Sequence, residues 1–151
     1  MMKRCGIFIT GTGTGVGKTH IGTGIAASLR RMGLDVGVMK PVETGCGTRK
    51  GMLWPRDAVA LSRAAQVNDP LGLVNPFRFR EPLAPAVAAE RTGSRIIMAP
   101  ITSAFRQLRR RHDFMIVEGA GGIMVPLTSR ASFLDLAVSV DLPVLVVALP
   151  G

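Results

Sequence analysis

Gly6-Ile7-Phe8-Ile9-Thr10-Gly11-Thr12-Gly13-Thr14-Gly15-Val16-Gly17-Lys18-Thr19 is the stretch from which the rest of the chain is read. A short apolar run over residues 5–9 stops at Thr10-Gly11, and an apolar run bounded by turn residues reads as a buried strand. Past the glycines, Ile21, Ile25, Leu29 and Met32 recur at helical spacing and predict an apolar helix face ending at Gly33, a suitable C-terminal cap. Between strand and helix, glycines let backbone N–H groups turn onto an anion, and the helix N-terminus adds its dipole. Residues 11–19 are therefore read as a phosphate-binding loop, with Lys18 reaching terminal phosphates and the Thr19 hydroxyl offered to magnesium. The loop is a variant. The strict pattern has glycine where this chain has Thr12, and Gly11 stands one residue earlier.

Outward from this loop the pattern repeats. Val36-Gly37-Val38-Met39 predicts a second short strand, closed by Lys40-Pro41 because proline has no N–H to continue the ladder. Residues 42–51, rich in Gly, Thr and charge and without periodicity, read as a loop; a helix is expected over 57–65. Four prolines, Pro70, Pro76, Pro82 and Pro85, make 68–85 irregular, and helices follow over 86–91 and 101–110. A third apolar run, 114–117, ends in Glu118-Gly119-Ala120-Gly121-Gly122. Phe133, Leu136, Ala137 and Val140 mark another helix face, and Val144-Leu145-Val146-Val147 a fourth strand. Short apolar strands alternating with helices imply an α/β fold, a parallel sheet covered by helices on both faces, like that of P-loop NTPases. Such a sheet binds its ligand outside the carboxyl ends of the strands. Lys40 closes the second strand and Glu118 the third, so both are expected to meet the phosphate loop. There Glu118 could hold magnesium, and Lys40 could neutralise charge on a transferred phosphoryl group or an anionic substrate.

Composition narrows the function. In 151 residues, 47% hydrophobic and 19% charged, the balance excludes a disordered chain, and no apolar run approaches a membrane span. One domain over 1–151 is expected. Nineteen Lys and Arg against ten Asp and Glu leave a net charge of +9, which asks for an anionic partner, phosphate or nucleic acid. Nucleic acid fits poorly. The cations are dispersed apart from Arg106, Arg109, Arg110 and Arg111, and aromatics are 5% with no Tyr for base stacking. Cys5 and Cys46 have neither disulfide-framework nor zinc spacing, and the apolar stretch after Lys3 and Arg4 is too short for a signal peptide. A cytoplasmic setting is the expectation. His20 and His112 have no evident partner in sequence and read as structural or solvent-facing.

Taken in order, the phosphate loop, Lys40-Pro41-Val42-Glu43-Thr44-Gly45, Asn75-Pro76-Phe77, Glu81-Pro82-Leu83-Ala84-Pro85 and Val117-Glu118-Gly119-Ala120-Gly121-Gly122 resemble the dethiobiotin synthetase family over essentially the whole chain. That resemblance implies ATP and Mg²⁺ as cofactors and 7,8-diaminononanoate with carbon dioxide or bicarbonate as substrates. The diamine takes up carbon dioxide as a carbamate, ATP phosphorylates it, and the second amine closes the ureido ring, releasing ADP and phosphate. By position, the resemblance makes Lys40, Lys18 and Thr14 catalytic, and assigns nucleotide to Gly13, Thr14, Gly15, Val16, Gly17, Lys18, Thr19 and Glu118. It assigns substrate to Thr44, Gly119, Ala120 and Gly121, and magnesium to Thr19, Asp57 and Glu118. It further implies a homodimer, with neither nucleic acid nor membrane as partner.

Departures are also visible. Gly13 stands where the family often has Asp, Gly15 where some members have Glu, and Ala86 where His is common. The chain ends directly after the fourth strand, where the family continues, so an N-terminal portion incomplete on its C-terminal side is expected. The segment beyond normally adds adenine and substrate-carboxylate contacts. Two other readings follow: an inactive remnant, or a dimer switch of the partition-ATPase class. The latter carries a signature lysine five positions before the loop lysine, where this chain has Gly13.

Overall fold

The computed structural model describes residues 6–151; Lys3, Arg4 and Cys5, the last expected to open the first strand, lie outside them. Along the chain the strands are β1 (Gly6–Gly11), β2 (Val36–Met39), β3 (Val42–Glu43), β4 (Gly47–Arg49), β5 (Met52–Trp54), β6 (Phe77–Arg78), β7 (Phe114–Gly122) and β8 (Val144–Val147). The helices are α1 (Lys18–Arg31), α2 (Arg56–Ala65), α3 (Leu71–Val74), α4 (Pro85–Arg91), α5 (Met98–Arg109) and α6 (Phe133–Val140).

Four strands form the central sheet in the order β2-β7-β1-β8, and every neighbouring pair is parallel. Parallel strands need covering on both faces. Here α1 and α2 lie on one face, and α5 and α6 on the other. Side chains alternate accordingly. Ile9 points towards Gly22 of α1, whereas Phe8 meets Phe133 of α6 with ring centroids 6.4 Å apart. The core is made of these layers: Phe8, Ile9, Val36, Val38, Met39, Met115, Ile116 and Val117 from the strands, Leu61, Ile101, Leu108, Phe133 and Leu136 from the helices, all inaccessible to solvent. On the outer strand β8, Val144, Leu145 and Val146 are exposed.

The apolar face expected on α1 is corrected in part: Ile25 and Leu29 pack against the core as read, whereas Ile21 and Met32 are exposed. Its buried stripe is Lys18, Gly22 and Ala26, while Ile21 is 39% exposed and Met32 73%. The reason is distance. A Cβ added at Gly22 would stand 3.0 Å from Leu61 Cδ2 and 3.4 Å from Glu118 Oε2, so only a small residue lets this helix come so close to α2 and β7. The end of α1 agrees with the expectation, since Gly33 takes the left-handed conformation, φ 88°, just past the helix.

Residues 42–51 are not a plain loop. β3 pairs in parallel with β6, and β4 forms an antiparallel hairpin with β5 across a turn with Lys50 at φ 50° and Gly51 at φ 79°. Strands of two or three residues are too short to show a period, and β6 and α3 escape the reading of 68–85 as irregular for the same reason. β7 also runs further than 114–117, taking in Glu118 and the glycines that follow.

Candidate active site

Register brings the chemistry together. Ile9 lies opposite Glu118 and Met39 opposite Val117, so Lys40, one residue beyond β2, sits beside Glu118 on the adjoining strand. Adjacent strands are about 4.8 Å apart. Alternation then turns Glu118 to the same face as Ile9, under the first turn of α1. The phosphate loop leaves β1 at the same level, ending at Gly17, whose φ of 101° admits glycine far more readily than other residues.

Lys40 is fixed by more than its strand. Its N–H donates to Val74 O at 2.8 Å, and Asn75 Nδ2 donates to its carbonyl at 2.7 Å and to Phe77 O at 3.1 Å. Pro41 cannot donate, so the chain leaves the main sheet here and is pegged by buried Asn75 instead. The Lys40 ammonium donates to Glu118 Oε1 at 2.6 Å and to Gly119 O at 3.1 Å, and pairs with Asp57 Oδ2 at 3.2 Å. The Thr19 hydroxyl donates to the same Glu118 Oε1 at 2.7 Å. Glu118 is wholly buried, and its other oxygen, Oε2, has no hydrogen-bond partner among the described residues.

Charge balance follows from this cluster. Burial by itself pushes the Lys40 ammonium down, but Glu118 and Asp57 outweigh it and hold Lys40 above its ordinary value. Lys18 moves the opposite way: burial first, then repulsion from Lys40, lower it against the pull of Glu118 and Asp57. Its ammonium folds back onto Gly13 O at 2.7 Å. The Glu43 carboxylate, also buried, is pushed up by desolvation, opposed by hydrogen bonds from the amides of Asp57 and Ala58.

An open pocket of about 330 Å³ gathers most of the expected residues: Thr14, Gly15, Gly17, Lys18, Thr19, Lys40, Thr44, Asp57, Glu118, Ala120 and Gly121 all line it. Gly13 contributes its carbonyl to Lys18, and Gly119 its carbonyl to Lys40. Val16 is part of the loop without lining the pocket. At Gly119 a Cβ would touch Phe133 and Phe8 at 3.4 Å, close to ordinary contact. Two lining residues were missed in sequence, His20 and Glu43. No signal in the sequence marks the second: strand alternation would set Glu43 opposite Thr44, yet both line the pocket. His112 lies elsewhere, at the amino ends of β2 and β7, and does have partners: Nδ1 is 3.1 Å from Asp35 Oδ1 and Nε2 2.7 Å from Asp69 Oδ2.

The oxygen set of Thr19, Asp57 and Glu118 suits a hard divalent cation such as magnesium, which takes one or two carboxylates and completes its shell with phosphate or water. A cation, the Lys40 ammonium, already sits among these oxygens, and Glu118 Oε2 is buried without a partner, so the donors fit a metal.

A glycine loop between a parallel strand and a helix, with a lysine and threonine at the helix start, defines a P-loop nucleotide-binding domain. The AAA domain family matches residues 5–151, and the chain belongs to that family. Among curated relatives, the ATP-dependent dethiobiotin synthetase BioD of an Anaeromyxobacter species is 44% identical over 146 residues, 97% of this chain and 64% of the relative. Relatives with the same name from Thermodesulfovibrio yellowstonii and Methanocaldococcus jannaschii are 40% and 38% identical, covering 97% and 96% of this chain and 64% and 66% of their own lengths. The chain thus spans 64% of the length of the first of these relatives. No helix among the described residues is long and apolar enough to cross a membrane.

Proposed function

We propose that this chain carries the phosphate-, magnesium- and carbamate-handling part of an ATP-dependent dethiobiotin synthetase, acting on 7,8-diaminononanoate and carbon dioxide. The single observation that carries the reading is the meeting of Lys40, Thr19 and Asp57 about Glu118, in the pocket that Lys18 also lines. The relatives' printed name and the resemblance of the motifs support it.

In this reading the backbone amides of residues 13–17, with Lys18, hold the nucleotide phosphates. Lys18 exchanges its bond to Gly13 O for phosphate oxygens. Thr19, Asp57 and Glu118 hold Mg²⁺, which when bound offsets negative charge on the phosphates. Lys40 stabilises the carbamate and the phosphoryl group moving onto its oxygen, the step in which ADP leaves. Thr44, Thr14 and the backbone of Gly119, Ala120 and Gly121 position the diamine, whose second amine then attacks the carbamate carbon and expels phosphate. Catalysis here comes mainly from placement and positive charge, which two buried ammonium groups supply. A homodimer, which rests on the resemblance, and a cytoplasmic setting, which rests on the cysteine usage, belong to the same reading.

The test is ADP release that depends on both the diamine and bicarbonate, and its loss in Lys18→Ala. Removing this charge from the phosphates is expected to lower turnover by about 100-fold or more. ADP release independent of the diamine would refute the reading.

A further inference from the structure

The N-terminus of α2 is capped from another part of the chain. Its N-cap residue is Pro55, which has no side-chain acceptor, and no local side chain caps the helix. The first-turn amides of a helix have no partner within it, so these need an outside acceptor. Glu43 provides one: the amide of Asp57 donates to Glu43 Oε1 at 2.9 Å and that of Ala58 to Glu43 Oε2 at 3.0 Å. A cap from Ser or Asp takes one such amide, and here both oxygens of one carboxylate are engaged. Burying this carboxylate, 5% exposed, is unfavourable on its own, since desolvation works against the charge.

The arrangement has an effect that a local cap would lack. Asp57 is itself a first-turn acid, the kind of residue that often turns back to cap its own helix. With the amides satisfied by Glu43, its carboxylate is free to reach Lys40 at 3.2 Å. Glu43 also adjoins Thr44, and the two, with Asp57, line the pocket.

We propose that Glu43 is a positioning residue for the divalent-cation site: it holds the first turn of α2 so that Asp57 faces the metal position, and ties that turn to the Thr44 loop. The inference rests on the proposed magnesium role of Asp57. Partners of this kind, one bond removed from a metal, are typically worth about 10–100-fold in metal affinity.

The experiment compares the unmodified chain with Glu43→Ala and Glu43→Gln. Three readouts are taken: the Mn²⁺ midpoint by electron paramagnetic resonance with ADP present, ADP affinity in EDTA, and amide exchange at Asp57 and Ala58. In Glu43→Ala the Mn²⁺ midpoint is expected to rise about 10-fold or more, with faster exchange at both amides and ADP affinity in EDTA unchanged. Glu43→Gln, which keeps one strong acceptor, should fall between. An unchanged Mn²⁺ midpoint overturns the proposal even if the amides exchange faster, and so does an equal loss of ADP affinity in EDTA, which would mean general damage. Should Glu43→Ala not fold, Glu43→Gln decides by the same criteria. Failure of the underlying site reading would show instead in the unmodified chain, as absence of Mn²⁺ binding with ADP.

Discussion

Replacing Lys40 by methionine keeps the length and apolar stem of the side chain and removes its charge. Glu118, with none of its surface exposed, then retains only the Thr19 hydroxyl as a donor, while its Oε2 already has none. Removing one partner of a buried ion pair typically costs about 3–5 kcal/mol, because the other charge is left without compensation. For a chain of this size each kcal/mol lowers the melting temperature by about 2–4 °C, so a fall of about 6–20 °C is expected. The assay is urea and thermal denaturation followed by far-ultraviolet circular dichroism, on Lys40→Met, Glu118→Gln and the double variant. If the orphaned charge is the cause, the double variant recovers about 1–3 kcal/mol relative to the sum of the singles. A loss below about 1 kcal/mol in Lys40→Met, or additivity within about 0.5 kcal/mol, would refute the reasoning.

Other expectations concern the frame around the site. Gly37→Ala would put a Cβ 2.5 Å from His112 Cδ2 and 2.6 Å from Met115 Sδ, so a loss of about 1–3 kcal/mol is expected in urea denaturation. The Cys46 thiol, buried and pushed up to about 11 by desolvation and then by Glu43, should resist iodoacetamide at pH 8 in a Cys5→Ser chain and react only as the chain unfolds. Rapid labelling of the native chain would contradict this. Asp135 caps α6 by accepting from the N–H and hydroxyl of Ser132, which hold its carboxyl below the ordinary 3.8. Its contribution is therefore complete above pH 3.8 and is lost as pH falls through the lower folded value. Urea midpoints of Asp135→Asn should lie below those of the unmodified chain at neutral pH and converge with them in acid.

Much of the sheet was legible because its strands are apolar and end at glycine, proline or charge. Val36–Met39 and Val144–Val147 form as read, and the phosphate loop follows from the order of its residue types alone. The meeting of Lys40 with Glu118 was legible too, as a consequence of two strands ending at one level. What escaped was set by distance in three dimensions. On α1 Ile25 and Leu29 were read rightly, but the fully buried stripe escaped because hydrophobicity marks large side chains, whereas close packing against Leu61 and Glu118 selects Gly22. Glu43 was quoted only as one letter of a motif, since the amides it serves lie 14 and 15 residues further on. His112 looked solitary because its carboxylates, Asp35 and Asp69, are 77 and 43 positions away.

Glu118 Oε1 accepts from both Thr19 and Lys40, so one atom is the junction between the helix that follows the phosphate loop and the segment leading to Thr44. A change that takes the threonine hydroxyl alone from that oxygen leaves the ammonium as its one donor there, and the reverse is equally true. A ligand that takes up one donor therefore changes the oxygen that the other donor shares, and whatever linkage this gives between the two sides of the cleft is reciprocal.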